Sequence, residues 1–284
     1  MSKKVQAIYL WWHKSVIDQE LLQSLPNLKV IANSGVGMDH LDLKLVASFG
    51  VKVANAPCDV SGSTADTEVA LLLASARRLV EGYHVAISSG MEYCEADFLG
   101  VEVTGATLRI NGMGSIGYKI ALRAKAFEMN ILYHNRTWRK EQEEQAVGAT
   151  YCKKIDSLLQ KANFVMVVVS LTPLTDELIG KREMELMKPA ATLINISGGT
   201  IQNCPATALQ TGVIRAAALE VTYPEPLPRL PSLLITLLKL ENIIITPHLS
   251  IKTGKATYMI TEEAAENILA ALNGLPIPSE VLPS

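Results

Sequence analysis

The chain of 284 residues is 49% hydrophobic and 19% charged, with a formal net charge of −2. That length allows one or two domains with a large buried core, and the composition excludes a disordered or fibrous chain. So small a net charge offers nucleic acid no electrostatic footprint, and no such partner is expected. Cys58, Cys94, Cys152 and Cys204 lie far apart, without CxxC or Cys/His spacing. Free thiols in a reducing compartment, and no metal site, are the expectation. The most apolar stretch, Leu230 to Thr246, is interrupted by Lys239, Glu241 and Asn242 and is too short to span a bilayer. No apolar leader with a cleavage site is recognisable, so a cytoplasmic location without a membrane partner is expected.

Short apolar runs alternate with helical patterns from end to end. Val5 to Leu10, Lys29 to Ala32 and Val51 to Ala54 read as strands, separated by helical patterns at Asp18 to Leu25 and Leu41 to Phe49. A long helix is expected over Thr64 to Glu81, apolar on several sides and hence buried. The less patterned stretch Gly82 to Thr104 reads as a domain junction. Six more strand-like runs follow: Ala106 to Ile110, Asn130 to His134, Phe164 to Val169, Thr192 to Ile196, Ala216 to Val221 and Ile243 to Thr246. The last helix, Thr261 to Asn273, stops at Gly274. This alternation predicts an α/β fold with parallel sheets in two units.

Gly112-Met113-Gly114-Ser115-Ile116-Gly117 is a GxGxxG between a strand-like run and an apolar helical pattern, and a second strand lies one βαβ unit on. In that context it predicts a dinucleotide site. Gly112 permits the tight turn, Gly114 lets a pyrophosphate approach the backbone, and Gly117 lets helix pack on strand. The helix N-terminus then offers N–H groups and a positive dipole at Ser115 and Ile116. The end of the second strand selects the cofactor. Asn135-Arg136-Thr137-Trp138-Arg139-Lys140 has no carboxylate for a ribose 2′-hydroxyl and three cations for a 2′-phosphate. NADP is therefore expected over NAD.

Six motifs occur in order: Ser34-Gly35-Val36-Gly37-Met38-Asp39-His40, Asn55-Ala56-Pro57, the GMGSIG loop, Ser170-Leu171-Thr172-Pro173, Tyr223-Pro224-Glu225-Pro226 and Pro247-His248. Together they resemble the D-isomer-specific 2-hydroxyacid dehydrogenases over essentially the whole chain, in particular the glyoxylate/hydroxypyruvate reductase branch. The resemblance implies a Rossmann-type doubly wound cofactor domain (residues 83–258) inserted into a smaller flavodoxin-like substrate domain (residues 1–82 and 259–284). It also implies a homodimer, a small 2-keto or 2-hydroxy acid as substrate, substrate carboxylate binding at Val36 and Gly37, and cofactor contacts from Ser170 and Ile196. Reducing a keto acid needs a hydride, a proton for the carbonyl oxygen and a cation for the carboxylate. By residue type His248 can give the proton, and Glu225 can fix its tautomer and favour its charged form.

The chain departs from the family pattern in several places. Gly198-Gly199-Thr200 stands where the family places an Arg-Gly pair, and Asn203 to Thr207 reads as shortened. Glu220 replaces an aspartate beside the nicotinamide. Arg109 and Asn111 occupy a strand that should be covered on both faces. Leu230 to Leu237 carries extra residues. The pattern also begins about fifty residues in, which predicts a truncated substrate domain with missing edge strands. Three readings stay open at this point: an NADPH-dependent keto-acid reductase, impaired or not; a silent paralogue that binds dinucleotide as a sensor or interaction protein; and a poorly folding chain.

Overall fold

The computed structural model describes residues 3–11, 16–35, 37–38, 40–57, 60–89, 98–197, 201, 204–222 and 240–282. Contacts divide the chain into a smaller unit, Met1–Val60 with Ile251–Ser284, and a larger unit, Ser61–Ser250. The division expected from sequence fell instead between residues 82 and 83 and between 258 and 259. Residues 61–82 pack within the larger unit, and the start of the last helix within the smaller.

In the smaller unit, β1 (Ala7–Leu10), β2 (Val30–Asn33) and β3 (Lys52–Ala54) form a parallel sheet in that order. β2 is central and buried at every position. One face packs Leu10, Leu22, Ile31, Val46 and Val53 beneath α1 (Gln19–Ser24) and α2 (Leu43–Ser48). Both helices start at an aspartate: Asp18 accepts from the Leu21 N–H at 2.8 Å, and Asp42 from the Leu45 N–H at 2.9 Å, a cap worth ~1 kcal/mol each. The other face packs Val30, Ala54 and Ile277 with Ile268 of the last helix, α10 (Gly254–Leu272). Asn267 of α10 is fully buried. Its amide donates to the Asn55 carbonyl and accepts from the Ser279 N–H, each at 3.0 Å. α10 begins seven residues before the apolar pattern does, because the Thr253 hydroxyl caps it by accepting from the Ala256 N–H.

The larger unit holds seven parallel strands: β4 (Thr107–Asn111), β5 (Asn130–His134), β6 (Ala149–Tyr151), β7 (Phe164–Val167), β8 (Thr192–Asn195), β9 (Ala216–Leu219) and β10 (Ile243–Ile245). Their order is β10-β9-β8-β7-β4-β5-β6, every neighbouring pair parallel. The direction of winding reverses between β4 and β7, which opens a crevice at their carboxyl ends. Leu108, Ile110, Phe164, Met166, Ile194 and Ala218 fill one face with Ala65, Leu72 and Ile120 of α3 (Ser61–Ala76) and α5 (Ser115–Ala126). Val165, Val167, Leu193 and Ala217 fill the other, against α7 (Ile155–Leu159), α8 (Lys181–Leu186) and α9 (Cys204–Gln210). α6 (Glu141–Val147) precedes the edge strand β6. Among the described residues no helix is long and apolar enough to cross a membrane.

Two elements differ from expectation. The single helix expected over Thr64 to Glu81 is α3 followed by a separate α4 (Leu79–Ile87), because Arg78 between them takes the left-handed conformation, φ 52°. Such a conformation costs a non-glycine residue about 1–2 kcal/mol. It is held by a two-pronged Arg78–Glu81 ion pair and by the guanidinium lying 4.3 Å over the Phe98 ring. β6 was not expected at all. Three residues paired only to β5 are too few to show a period.

Arg109 lies within a strand covered on both faces, as expected. It is completely buried between Leu132 of β5 and Val165 of β7, on the face opposite Leu108 and Ile110. One guanidinium nitrogen donates to Asn111 Oδ1 at 2.6 Å, while Nε, Nη1 and the Asn111 amide nitrogen have no hydrogen-bond partner among the described residues. Burial pushes the guanidinium down to about 10.

Candidate active site

The phosphate loop follows directly from its glycines. Gly112 has φ 98°, and a Cβ there would overlap the Val168 carbonyl of the next strand's extension. A Cβ on Gly117 would overlap the Gly112 carbonyl, with Ile110 Cγ2 at 3.3 Å. Gly114 is the reverse case, since nothing lies within 4 Å of where its Cβ would stand. Two glycines are thus required by packing, and the third opens a concavity over α5. No side chain caps α5 at its N-cap, Gly114, and Ser115 is exposed beside it. Uncapped N–H groups at the positive end of a helix dipole suit a phosphate. The cradle fits a dinucleotide.

At the carboxyl end of β5, Asn135 donates its amide to the Thr137 carbonyl at 3.0 Å, which turns the chain and leaves Arg136 and Thr137 exposed. Tyr151 of β6 lies nearly parallel to both His134 and Trp138, with ring centroids 6.3 and 5.6 Å away. Arg139 does not hang free for a phosphate. Its Nε donates to the Met113 carbonyl at 2.7 Å, its Nη1 pairs with Glu143 at 3.0 Å, and its guanidinium lies 5.3 Å from the Tyr118 ring centroid. It straps the end of β5 to the phosphate loop.

The turn bearing His248 is folded around Glu220. Glu220, next after β9, is buried to 1% exposure. Its backbone carbonyl accepts from the His248 N–H at 3.0 Å. One carboxylate oxygen accepts from the Ser250 N–H at 2.5 Å and the other from the Thr246 hydroxyl. Ser63 of α3 donates its hydroxyl to the Ser250 carbonyl at 2.6 Å. His248 itself has φ 51° and is half-buried, a strained conformation that this set of bonds holds. Glu68 of α3, close enough to Glu220 to feel its charge, is fully buried, and neither carboxyl oxygen has a hydrogen-bond partner among the described residues. Burial, with Glu220 adding like charge, raises its carboxyl well above the usual range and favours the protonated form.

β7 and β8 end in a polar lock. The Asn195 side chain donates to the Ser197 carbonyl at 2.9 Å and accepts from the Ser197 N–H at 3.1 Å, and the Ser197 hydroxyl accepts from the Val169 N–H at 2.8 Å while donating to the Val167 carbonyl at 3.1 Å. This fixes Ile196, half-buried, at the carboxyl edge. The Ser170 carbonyl accepts from the Thr175 hydroxyl at 2.6 Å. In the smaller unit the Asn33 amide donates to the carbonyls of Gly35 and Gly37, both at 3.0 Å, and Gly37 is exposed. Val36, Glu225 and Gly198 lie outside the described residues. The polar side chains that build these turns, Asn33, Asn195, Ser197 and Thr246, were missed in the sequence, as was the buried Glu68. The available signal was asparagine as the last residue of β2, β4 and β8.

Residues 69–250 match the family described as D-isomer specific 2-hydroxyacid dehydrogenase, NAD binding domain. The glyoxylate reductase of Pyrococcus furiosus is 38% identical over 265 residues, covering 91% of this chain and 77% of that protein. The chain belongs to this family. The glyoxylate reductase of Thermococcus litoralis is likewise 38% identical, over 91% of this chain and 78% of its own. Among solved structures, a Thermus thermophilus protein superposes with a TM-score of 0.86 at 34% identity, covering 97% of this chain and 85% of that one. The NADPH-dependent glyoxylate/hydroxypyruvate reductase of Sinorhizobium meliloti, in complex with NADP and malonate, gives 0.83 at 26% identity, over 98% and 84%. The family and the glycine cradle agree: the larger unit is a binding domain for a nicotinamide dinucleotide.

Proposed function

We propose that the chain reduces small 2-keto acids, glyoxylate and hydroxypyruvate among them, to 2-hydroxy acids, with NADPH preferred over NADH. The supporting observation is the turn around Glu220: it presents His248 at the same carboxyl edge of a wholly parallel sheet as the glycine cradle of β4. The relatives' reductase activity and the NADPH-dependent neighbour agree with this reading.

A bound nicotinamide supplies the hydride. His248 gives a proton to the keto oxygen, with Glu225 as the carboxylate that favours its charged form. Backbone N–H groups at Val36 and Gly37 hold the substrate carboxylate, so the smaller unit serves the substrate and the larger the cofactor. Gly112, Gly114, Ser115, Ile116 and Gly117 cradle the pyrophosphate, while Ser170, Ile196 and Glu220 line the nicotinamide side. Asn135, Arg136 and Thr137 receive the 2′-phosphate. Arg139, already bonded to the loop, contributes by holding its shape. A homodimer fits the exposed Leu79, Val80, Tyr83 and Ile87 of α4 with Leu99, which lines the same surface pocket as Val80, and the cytoplasm fits the thiol usage.

The second reading, dinucleotide binding without turnover, rests on Gly198 standing where the family has arginine. Loss of one preorganised oxyanion donor costs about 10²–10³ in rate. Steady-state oxidation of NADPH by glyoxylate or hydroxypyruvate decides between them. The proposal expects measurable turnover that His248→Ala abolishes while NADPH still binds. NADPH binding with no turnover by the parent chain favours the silent reading.

A further inference from the structure

We propose that Trp138 is the platform on which the adenine of the cofactor stacks, with Glu144 holding the ring in position; this rests on the dinucleotide reading above. All of the observations lie within the larger unit. Trp138 is 69% exposed. A single apolar side chain in water is ordinary and carries no argument by itself. What sets Trp138 apart is that its ring is exposed and fixed at once. Its Nε1–H donates to Glu144 Oε1 at 2.8 Å, and one face lies against Tyr151, 5.6 Å between centroids and 15° from parallel. The same Glu144 oxygen accepts from the hydroxyl of Tyr133, a fully buried residue of β5. An indole held at its nitrogen and on one face offers the other face to a ligand with little rotamer freedom left to lose.

The chemistry of the cofactor brings a base to this spot. In NADPH the adenine and the 2′-phosphate sit on adjacent carbons of one ribose, so the base lies close to whatever receives the phosphate. Arg136 and Thr137, the proposed receivers, are exposed and immediately precede Trp138. The Asn135 amide closes their turn on the Thr137 carbonyl at 3.0 Å, which fixes where the indole follows. An aromatic face suits the uncharged π-surface of a purine, and a guanidinium suits the phosphate. The two side chains thus read different parts of one nucleotide. Both NADPH and NADH carry the adenine, so Trp138 serves them equally, whereas Arg136 separates them.

The test is calorimetric titration with 2′,5′-ADP (the adenine half of NADPH), NADPH and NADH, for the parent, Trp138→Leu and Trp138→Phe. Trp138→Leu is expected to weaken all three by a common factor of about tenfold or more, the scale of one stacked base, and to leave the parent's ratio of NADPH to NADH affinity in place. Trp138→Phe, which keeps a ring beside Tyr151, should recover most of the loss. In fluorescence, 2′,5′-ADP should quench the tryptophan emission of the parent. Trp138→Phe should bind it with that quenching gone, although Trp11 and Trp12 still emit. Unchanged affinities in Trp138→Leu overturn the proposal. So does a changed ratio of NADPH to NADH affinity in that variant, which would mean that the indole only props the turn bearing Arg136. A parent chain that binds neither NADPH nor 2′,5′-ADP would overturn the dinucleotide site itself, a failure distinct from one seen in the variants alone.

Discussion

Arg109 and Glu68 are two fully buried ionisable side chains whose polar atoms are largely unpartnered among the described residues. A lone guanidinium bonded to one amide oxygen returns little of its desolvation cost. Removing it alone would orphan Asn111 Oδ1 as well, so the repair is a double one. Arg109→Leu with Asn111→Val is expected to stabilise the fold by about 1–4 kcal/mol, read from urea midpoints at unchanged slope. A double variant that melts no higher than the parent would contradict this. For Glu68 the sign runs through pH. Its folded-state carboxyl titrates well above the usual range, against about 4.3 in an unfolded chain. Below that value both states are protonated. Between it and the raised folded value the native state binds more protons, so stability falls as pH rises. Glu68→Gln removes that slope. Its gain in melting temperature should be negligible near pH 4 and grow as the pH rises above that, and a pH-independent gain would contradict the raised folded-state carboxyl. The anomaly at Arg109 was legible in the sequence, because a covered parallel strand has no cheap place for a guanidinium. Glu68 was not legible, since a helix apolar on several sides does not show by its pattern which of its few polar residues is buried.

At the scale of elements, the phosphate loop was the most legible part, because each glycine answers a separate steric demand that leaves a fixed spacing. Gly112 and Gly117 meet backbone where a Cβ would stand, and Gly114 meets open space. The strands around it were legible from short apolar runs. The break at Arg78 and the edge strand β6 were not, since one depends on an ion pair and an aromatic ring and the other on pairing with β5. The basic run after β5 was legible as cations but not as roles. Arg136 is exposed, whereas Arg139 is tied to the Met113 carbonyl and Glu143. Arg136→Ala should therefore weaken NADPH about tenfold or more and leave NADH nearly unchanged, the scale of a charged hydrogen bond. Arg139→Ala should weaken both dinucleotides together by loosening the loop. Fluorescence titration of each variant with each dinucleotide reads the difference. Equal losses of NADPH and NADH in Arg136→Ala would contradict the division of labour.

At the scale of the molecule, the alternation of strand and helix made the two parallel α/β units legible, and the order of motifs carried the family. What the pattern could not carry is the placement of polar side chains from distant segments, such as Ser63, Glu220 and Ser250 around one turn. Those contacts have no period along the chain. The reading as a reductase stands or falls on hydride transfer, which is separable from binding. The chain, at a concentration equal to that of NADPH deuterated at both C4 positions, is incubated with glyoxylate, and the glycolate is analysed by mass spectrometry. Glycolate carrying one deuterium at C2, lost in His248→Ala, is the expected result. Unlabelled glyoxylate recovered intact, from a chain shown to bind NADPH in the same tube, would contradict it.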